Sequence, residues 1–372
     1  MRLLAILLLA TAANAQWVSP IEQIYGPYLA PSIGAEPAIV ASSHGVLLVW
    51  SEIDPLTKIP ELHSGILDFD GRLVSPIRIL PQYQVDAHAK DPVVATDGET
   101  FAVGWLESQG LMRVAAIALD AHGAPAAPPR GLGGYYYLGT ITPPLVWNGS
   151  AYQIFGFAFD RAGELVLPEP DMPAALRYAA NGTFVGMNWE SHRAGYRCSF
   201  GRPNCVWFDA DFTVTWEIVR GNRHEQTSKA WPYYTDSTPI VAGDDDEMAI
   251  VWSSAYGIEG MRVVDGKYHS SFILPKSLTP EAPEGIAFDG ERWLVVFERD
   301  RDIWGAFVDR DSFNVTPFPI ATSDRAESKP RAAALKRGRF LVSYSSDVLP
   351  RDHRFAGRVV LTEPPKKTRA LR

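Results

Sequence analysis

The chain has 372 residues, 46% of them hydrophobic, with 11 Trp and a formal net charge of −8. That acidic balance argues against nucleic acid as a partner, because phosphate binding needs a basic face. Beyond the N-terminal leader, no stretch stays apolar for the ~18 residues that a membrane helix needs, so the expectation is a water-facing chain with ample material for a core.

The leader itself, MRLLAILLLATAANA, has one Arg, an apolar run of about ten residues and a small-residue site ending at Ala15. These are the marks of a secretory signal peptide, and the run is too short to span a bilayer. Residues 1–15 are therefore expected to be removed. The chain that begins at Gln16 is expected outside the cytoplasm, secreted or periplasmic.

From residue 37 onward one pattern recurs: PAIVASSHGVLLVWSE (37–52), DPVVATDGETFAVGWLES (91–108), PPLVWNGSAYQIFGFA (143–158), PAALRYAANGTFVGMNWES (173–191), TPIVAGDDDEMAIVWSS (238–254), PEGIAFDGERWLVVFER (283–299) and PRAAALKRGRFLVSYSS (330–346). Each copy has a Pro, a short apolar strand, a turn and a more apolar strand. The Asp-Gly and Asn-Gly pairs at 97–98, 148–149, 181–182 and 289–290 are hairpin turns, since Asn, Asp and Gly tolerate positive φ. The strand after the turn ends on Trp50, Trp105, Trp189, Trp252, Phe297 or Tyr344. Its nearly continuous apolar character predicts burial on both faces.

A third strand follows in most copies, with Gly65, Gly260, Gly305 and Gly357 (Ala116 in the second copy) set early in it. A small residue there lets a neighbouring aromatic pack close. A fourth strand reads as LVSPIRIL (73–80) and FNVTPFPIA (313–321). The copy at 143 is short with no clear third strand, and the copy at 173 is long.

Seven units of four antiparallel strands, about 51 residues each, predict an all-β, seven-bladed β-propeller. The last unit stops at RVVLTE without a fourth strand, while WVSPIEQIY (17–25) echoes LVSPIRIL. The N-terminal strand is therefore expected to complete the last blade, closing a ring and removing two exposed strand edges. The expected organisation is one propeller domain over 16–362 and a disordered basic tail over 363–372, whose KKTRALR carries four basic residues.

With these repeats on the page, the chain resembles secreted bacterial β-propeller repeat proteins of uncharacterised function, whose units read roughly P-x-V-A-x-D-G-x-x-x-L-V-V-W-x-D. The resemblance covers residues 17–362 and implies a propeller and export, with no particular reaction. The W-D/G-H pairing, the S-x-D-x-G-x-T-W box and the complete D-x-D-x-D-G loop of better-known propellers are absent from the sequence.

Chemistry in a propeller gathers where the second-to-third strand connections meet those between blades. Glu52, Glu107, Glu190 and Glu298 follow the strand-ending aromatics, and Arg299, Asp300, Arg301, Arg351 and His353 join them in the loops ERDRDI and RDHRF. Clustered carboxylates can divide acid and base roles, and Arg suits a ligand carboxylate or phosphate. The same Glu column also reads as solvated strand ends, because a catalytic residue is needed once and not in every repeat.

Cys198 and Cys205, the two cysteines, predict a local disulfide in an exported chain. DDDE (244–247) reads as a hairpin turn. DFDG (68–71), DADF (209–212) and DRDS (309–312) read as third-to-fourth strand turns, where Asp makes local Asx-turn bonds. Neither a metal nor a cofactor is expected. The leading expectation is a monomeric binding module for a peptide, glycan or protein partner. A propeller hydrolase or lyase acting on an anionic saccharide is the alternative, and a structural envelope protein a second.

Overall fold

The structure is a computed structural model that describes residues 17–20, 22–25, 37–54, 56–109, 112–132, 145–147, 149–154, 157–166, 176–180, 183–192, 211–220, 223–231, 240–243, 247–254, 256–264, 267–275, 283–309, 315–336, 338–349 and 352–363. For 176–180, 183–192, 211–220, 223–231, 347–349 and 352–354, and at Ile24, Ser254, Lys267 and Pro275, it describes the backbone alone. The leader, Cys198, Cys205, Arg351 and residues 364–372 lie outside the described residues, as do the side chains of Glu190 and His353.

The repeats become antiparallel sheets that follow one another along the chain. Sheet one joins Ala38–Ala41, Val46–Ile53, Pro60–Leu67 and Arg78–Ile79. Sheet two joins His88–Thr96, Phe101–Ser108, Met112–Leu119 and Arg130–Gly131, and sheet three Leu145–Trp147, Tyr152–Ile154, Phe157–Phe159 and Leu165–Val166. Sheet four joins Leu176–Ala180, Thr183–His192, Asp211–Arg220 and Arg223–Trp231, and sheet five Ile240–Gly243, Glu247–Ser254, Gly257–Val264 and Lys267–Pro275. Sheet six joins Pro283–Phe288, Arg292–Arg299, Asp302–Asp309 and Pro317–Ala321. Sheet seven takes Ala326–Lys336, Arg339–Leu349 and Asp352–Leu361, with Trp17–Val18 and Gln23–Ile24 paired to its third strand.

The turn chemistry follows the sequence. Gly98 and Gly290 sit at φ of +94° and +95°, a region where only Gly is unstrained. In each turn the preceding Asp holds the backbone: Asp97 Oδ1 accepts from the amides of Glu99 and Thr100, and Asp289 Oδ1 from those of Glu291 and Arg292. The third-to-fourth turns repeat a second device. Asp68, Asp120 and Asp160 each accept, through Oδ1, the amides two and four residues on, at 2.8–2.9 Å.

Three expectations about the repeats need correction. The short copy at 143 has its third strand, Phe157–Phe159, and a fourth, Leu165–Val166, joined by an Asp160 turn of the same kind. Three residues per strand is too little periodicity to read from sequence. In the copy at 173, Asp211 and Phe212 of DADF open the third strand, pairing with His192 and Ser191, and do not form a turn. The long insertion after His192 displaces that strand downstream. Similarly, Glu247 of DDDE opens a second strand and pairs with Arg262 at 2.7 Å, both side chains buried.

Successive side chains of a second strand are buried against opposite neighbours. Val46, Leu48 and Trp50 pack against Leu341, Phe355 and Val359 of sheet seven, while Leu47 and Val49 pack against Phe101, Val103 and Trp105 of sheet two. The same sandwiching joins sheets two and three, five and six, and six and seven. A near-continuous apolar strand is the consequence of having a neighbour on both faces.

Gly260 explains the small residues of the third strands. A Cβ there would lie 2.1 Å from the Phe272 ring of the adjacent fourth strand. At Gly357 the side chain in that position is Tyr25, its hydroxyl oxygen 2.4 Å and its ring 3.0 Å from where a Cβ would lie. The N-terminal segment thus fills the place that a fourth strand fills elsewhere, in line with the echo between WVSPIEQIY and LVSPIRIL.

Candidate functional site

The second strands end, and the third strands begin, on one face of the molecule, together with the linkers that lead from each sheet to the next. The candidate residues that are described belong to this face, but most are in strands. Glu52 lies in Val46–Ile53, Glu107 in Phe101–Ser108, Glu190 in Thr183–His192, Glu298 and Arg299 in Arg292–Arg299, and His353 in Asp352–Leu361. Successive strand residues point to opposite sides. A Glu two places after the aromatic therefore shares its side, and a Glu one place after does not.

Glu107 is two places after Trp105 and fully buried. Its carboxylate accepts Trp105 Nε1–H at 2.9 Å and the backbone amides of Tyr83 and Gln84 at 2.7 and 3.1 Å. Those amides belong to the linker between sheets one and two, so Glu107 ties that linker down. Glu52 holds the same place relative to Trp50, whose Nε1–H it accepts at 3.3 Å, but its surroundings differ. Directly across the hairpin lies Glu61. His63 Nδ1 is 3.8 Å away and its ring is stacked on Trp50. Burial, and to a smaller extent the Glu61 charge, pushes the Glu52 carboxyl up to about 7. Burial also raises Glu61 and lowers His63.

Glu298 is one place after Phe297 and so turns toward sheet seven, as do Leu294 and Val296. Burial raises its carboxyl, against the opposing pull of Lys329 and Arg301. Arg299 lies on the other side, its guanidinium carbon 5.2 Å from the Phe297 ring and 4.9 Å from the Trp304 ring. Asp300 and Arg301 form the whole of the connection. Both have positive φ, 55° and 69°, the signature of a two-residue type I′ hairpin. The ERDRDI connection is a tight turn whose Arg301 carbonyl accepts the amide of Glu327, in the first strand of sheet seven, at 2.8 Å.

That contact leads to a group that sequence reasoning did not single out. Glu327 is 1% exposed. Its Oε1 accepts the Ser323 hydroxyl, whereas its Oε2 meets no N–H or O–H donor. Asp302, at the base of the charged turn, is within hydrogen-bonding reach of Glu327. Both carboxyls are raised, foremost by burial, and then by a neighbouring acid: Asp300 for Asp302, and Asp302 with Glu22 for Glu327. Glu22, from the N-terminal segment, accepts the Tyr344 hydroxyl at 2.5 Å and lies 4.0 Å from Arg358. The repeat begins visibly at Pro330, and Glu327 falls three residues before it, outside the pattern. The glutamate-serine register pair Glu327–Ser346, matching Ala89–Glu107 in sheet two, is the signal that a strand-by-strand alignment carries.

The same face also carries exposed apolar side chains. Leu56, Tyr83 and Val85 are 90%, 45% and 81% exposed. The linker bearing the last two is pinned by Glu107 and by Gln109 Nε2, which donates to the Val85 carbonyl at 3.2 Å. Among the described residues, no three His, Cys, Asp or Glu side chains are placed to hold a metal ion, and no helix is long and apolar enough to cross a membrane.

No family model matches the chain, and no curated protein matches it. Among solved structures it is similar to the β-propeller domain of the Trilobed protease from Pyrococcus furiosus, at 11% identity and a TM-score of 0.53 over 90% of this chain and 94% of that one. That propeller has an open velcro topology. It is also similar to Hsv2 of Kluyvelomyces marxianus, at 9% identity and a TM-score of 0.50 over 87% of this chain and 97% of that one. A protein of unknown function from Dyadobacter fermentans aligns over 92% of this chain, at 14% identity and a TM-score of 0.47. At such identities the likeness bears on the fold alone: an all-β chain of successive four-stranded antiparallel sheets, with the fold of a β-propeller.

Proposed function

We propose that the chain is an exported, monomeric, seven-bladed propeller, closed by its N-terminal strand, that acts as a binding module. Its loop face presents Leu56, Tyr83 and Val85 to a peptide, glycan or partner protein. The observation that carries this reading is the contrast at sheet two. The carboxylate best placed to work there, Glu107, is sealed and occupied by three N–H donors, whereas the linker it pins displays two exposed apolar side chains. A surface of that kind suits recognition, where an enzyme needs titratable groups converging in a concave site. Closure is supported by the pairing of Trp17–Val18 and Gln23–Ile24 with the last strand. Export rests on the leader sequence.

A second reading, a hydrolase or lyase acting on an anionic saccharide, is favoured by one arrangement, the raised Asp302 and Glu327 carboxyls beside Arg301. A single screen separates the two. The purified chain is tested by thermal shift against peptides and oligosaccharides, uronic and sialic acids included. For a binding module, a stabilising ligand is found whose effect is lost in Tyr83→Ala and Val85→Ser and kept in Asp302→Asn. Turnover of a saccharide, abolished by Asp302→Asn, would replace the first reading with the second.

A further inference from the structure

The seam between sheets six and seven contains a buried acceptor that nothing satisfies. Glu327 Oε2 is shut away from water and lacks a donor, a state that costs a carboxylate several kcal/mol in general. The cost disappears if the site holds a proton. A carboxyl O–H on one of the two acids then donates to the other, and the orphan oxygen becomes part of a hydrogen bond. The geometry already brings the partners together: the amide of Glu327 donates to the carbonyl of Arg301, next to Asp302 in sequence.

We propose that Asp302 and Glu327 share one proton across this seam, and that the shared proton fastens the charged hairpin of sheet six to the first strand of sheet seven. Ionisation of the pair leaves two facing carboxylates, and the hairpin is released as pH rises. The surrounding charges decide the direction. Asp300, in the turn, and Glu22, from the N-terminal segment, are acids that favour the protonated pair. Arg358, from the third strand of sheet seven, opposes it, but it also lies 4.0 Å from Glu22 and donates to Tyr344 Oη at 3.3 Å. Lys329 and Arg301 act chiefly on Glu298, on the flank of the seam.

Both carboxyls titrate above their unfolded values in the closed seam. The fastening is therefore complete in acid, below about pH 4, and is lost as pH rises through the pair's own range. This inference does not rest on the binding-module reading, since it requires only the described pairing of sheets six and seven.

The test is amide hydrogen exchange of the full chain between pH 4 and 8, corrected for the intrinsic base dependence of exchange and read at Glu327 and across 299–303. With a shared proton, the opening constant of the seam rises by up to about tenfold per pH unit until the pair is ionised, while amides within sheet two show no such slope. Glu327→Gln supplies a permanent N–H donor to Asp302 and flattens the slope. Asp302→Asn does the same from the more accessible partner, and carries the test alone if Glu327→Gln does not fold. Glu22→Gln removes a neighbouring charge and keeps the slope. The proposal is overturned if wild type shows no slope, if the slope survives in Asp302→Asn, or if Glu22→Gln alone abolishes it.

Discussion

Two glutamates in equivalent places, Glu107 and Glu52, have opposite characters because of what lies opposite each. Glu107 faces two linker amides and an indole N–H, so its oxygens are matched by donors. Replacing it by Ala leaves one buried and two part-buried donors unmatched, at about 1 kcal/mol each. Glu52 faces Glu61 across the hairpin, an unfavourable like-charged pair, and is half withdrawn from water. Its carboxyl, raised to about 7, gives stability that is present in full below about pH 4.5 and is lost as pH rises through neutrality. Glu52→Gln keeps an acceptor for Trp50 and removes that dependence. Denaturant unfolding is therefore expected to find Glu107→Ala destabilised by about 3 kcal/mol. Glu52→Gln is expected to be close to wild type at pH 5 and on the order of 1 kcal/mol more stable at pH 8, once solvent screening is allowed for. Equal pH dependence in Glu52→Gln and wild type would remove Glu52 as the titrating group.

At the level of the strand and hairpin, the connection in sheet six trades backbone comfort for charge. Asp300 and Arg301 occupy left-handed conformations that cost an L-residue roughly 1–2 kcal/mol and suit Asn-Gly best. The pair Asp300→Asn with Arg301→Gly should therefore raise stability by about 0.5–1 kcal/mol in a denaturant titration, after the extra chain entropy of Gly. A loss instead would mean that the Arg301 side chain holds the seam against sheet seven. This hairpin also marks how far sequence reading reaches. The strands on either side are legible in Trp293–Phe297 and Ile303–Val308, but the charges mark a loop over 298–303, of which the structure leaves only Asp300 and Arg301 outside the strands. The period of two applied to Phe297–Glu298 against Trp105–Glu107 already divides the Glu column between opposite sides of the sheets. What could not be read is which residues wait on those sides, because Glu327, Glu22 and Arg358 reach the seam from three strands remote in sequence. Short elements failed for a related reason: Phe157–Phe159 and Leu165–Val166 are strands through their pairing partners and not through any pattern of their own.

On the scale of the whole molecule, the carboxyls that burial raises, Glu52, Glu61, Glu298, Asp302 and Glu327, lie on the loop face, where Asp54 is lowered by its turn bonds to Thr57 and Leu56. Asp70, Asp97 and Glu99, on the opposite face, are lowered by the hydrogen bonds and cations beside them. The opposite face is thus a belt of satisfied ion pairs and turn bonds, among them Arg339 with Asp70, which joins sheet seven to sheet one. The N-terminal segment reinforces that junction. Tyr25 is 2% exposed, its amide donates to the Phe355 carbonyl at 2.9 Å, and its hydroxyl crosses to the Gly71 carbonyl of sheet one, also at 2.9 Å. If the segment closes a ring, its bonds break only when the ring opens, so the amides of Ser19 and Tyr25 should exchange at the free energy of global unfolding, like those of the core strands. If it is merely laid on the edge of sheet seven, they should exchange earlier, as frayed termini do. Tyr25→Ala sharpens the distinction. Truncation of a buried aromatic costs about 3–5 kcal/mol wherever it occurs, and Phe272→Ala, at the matching place in sheet five, supplies the reference. For a closing strand, Tyr25→Ala should in addition uncouple Ser19 exchange from the core and expose the Asp352–Leu361 edge to association, whereas Phe272→Ala should lower stability and leave the two coupled.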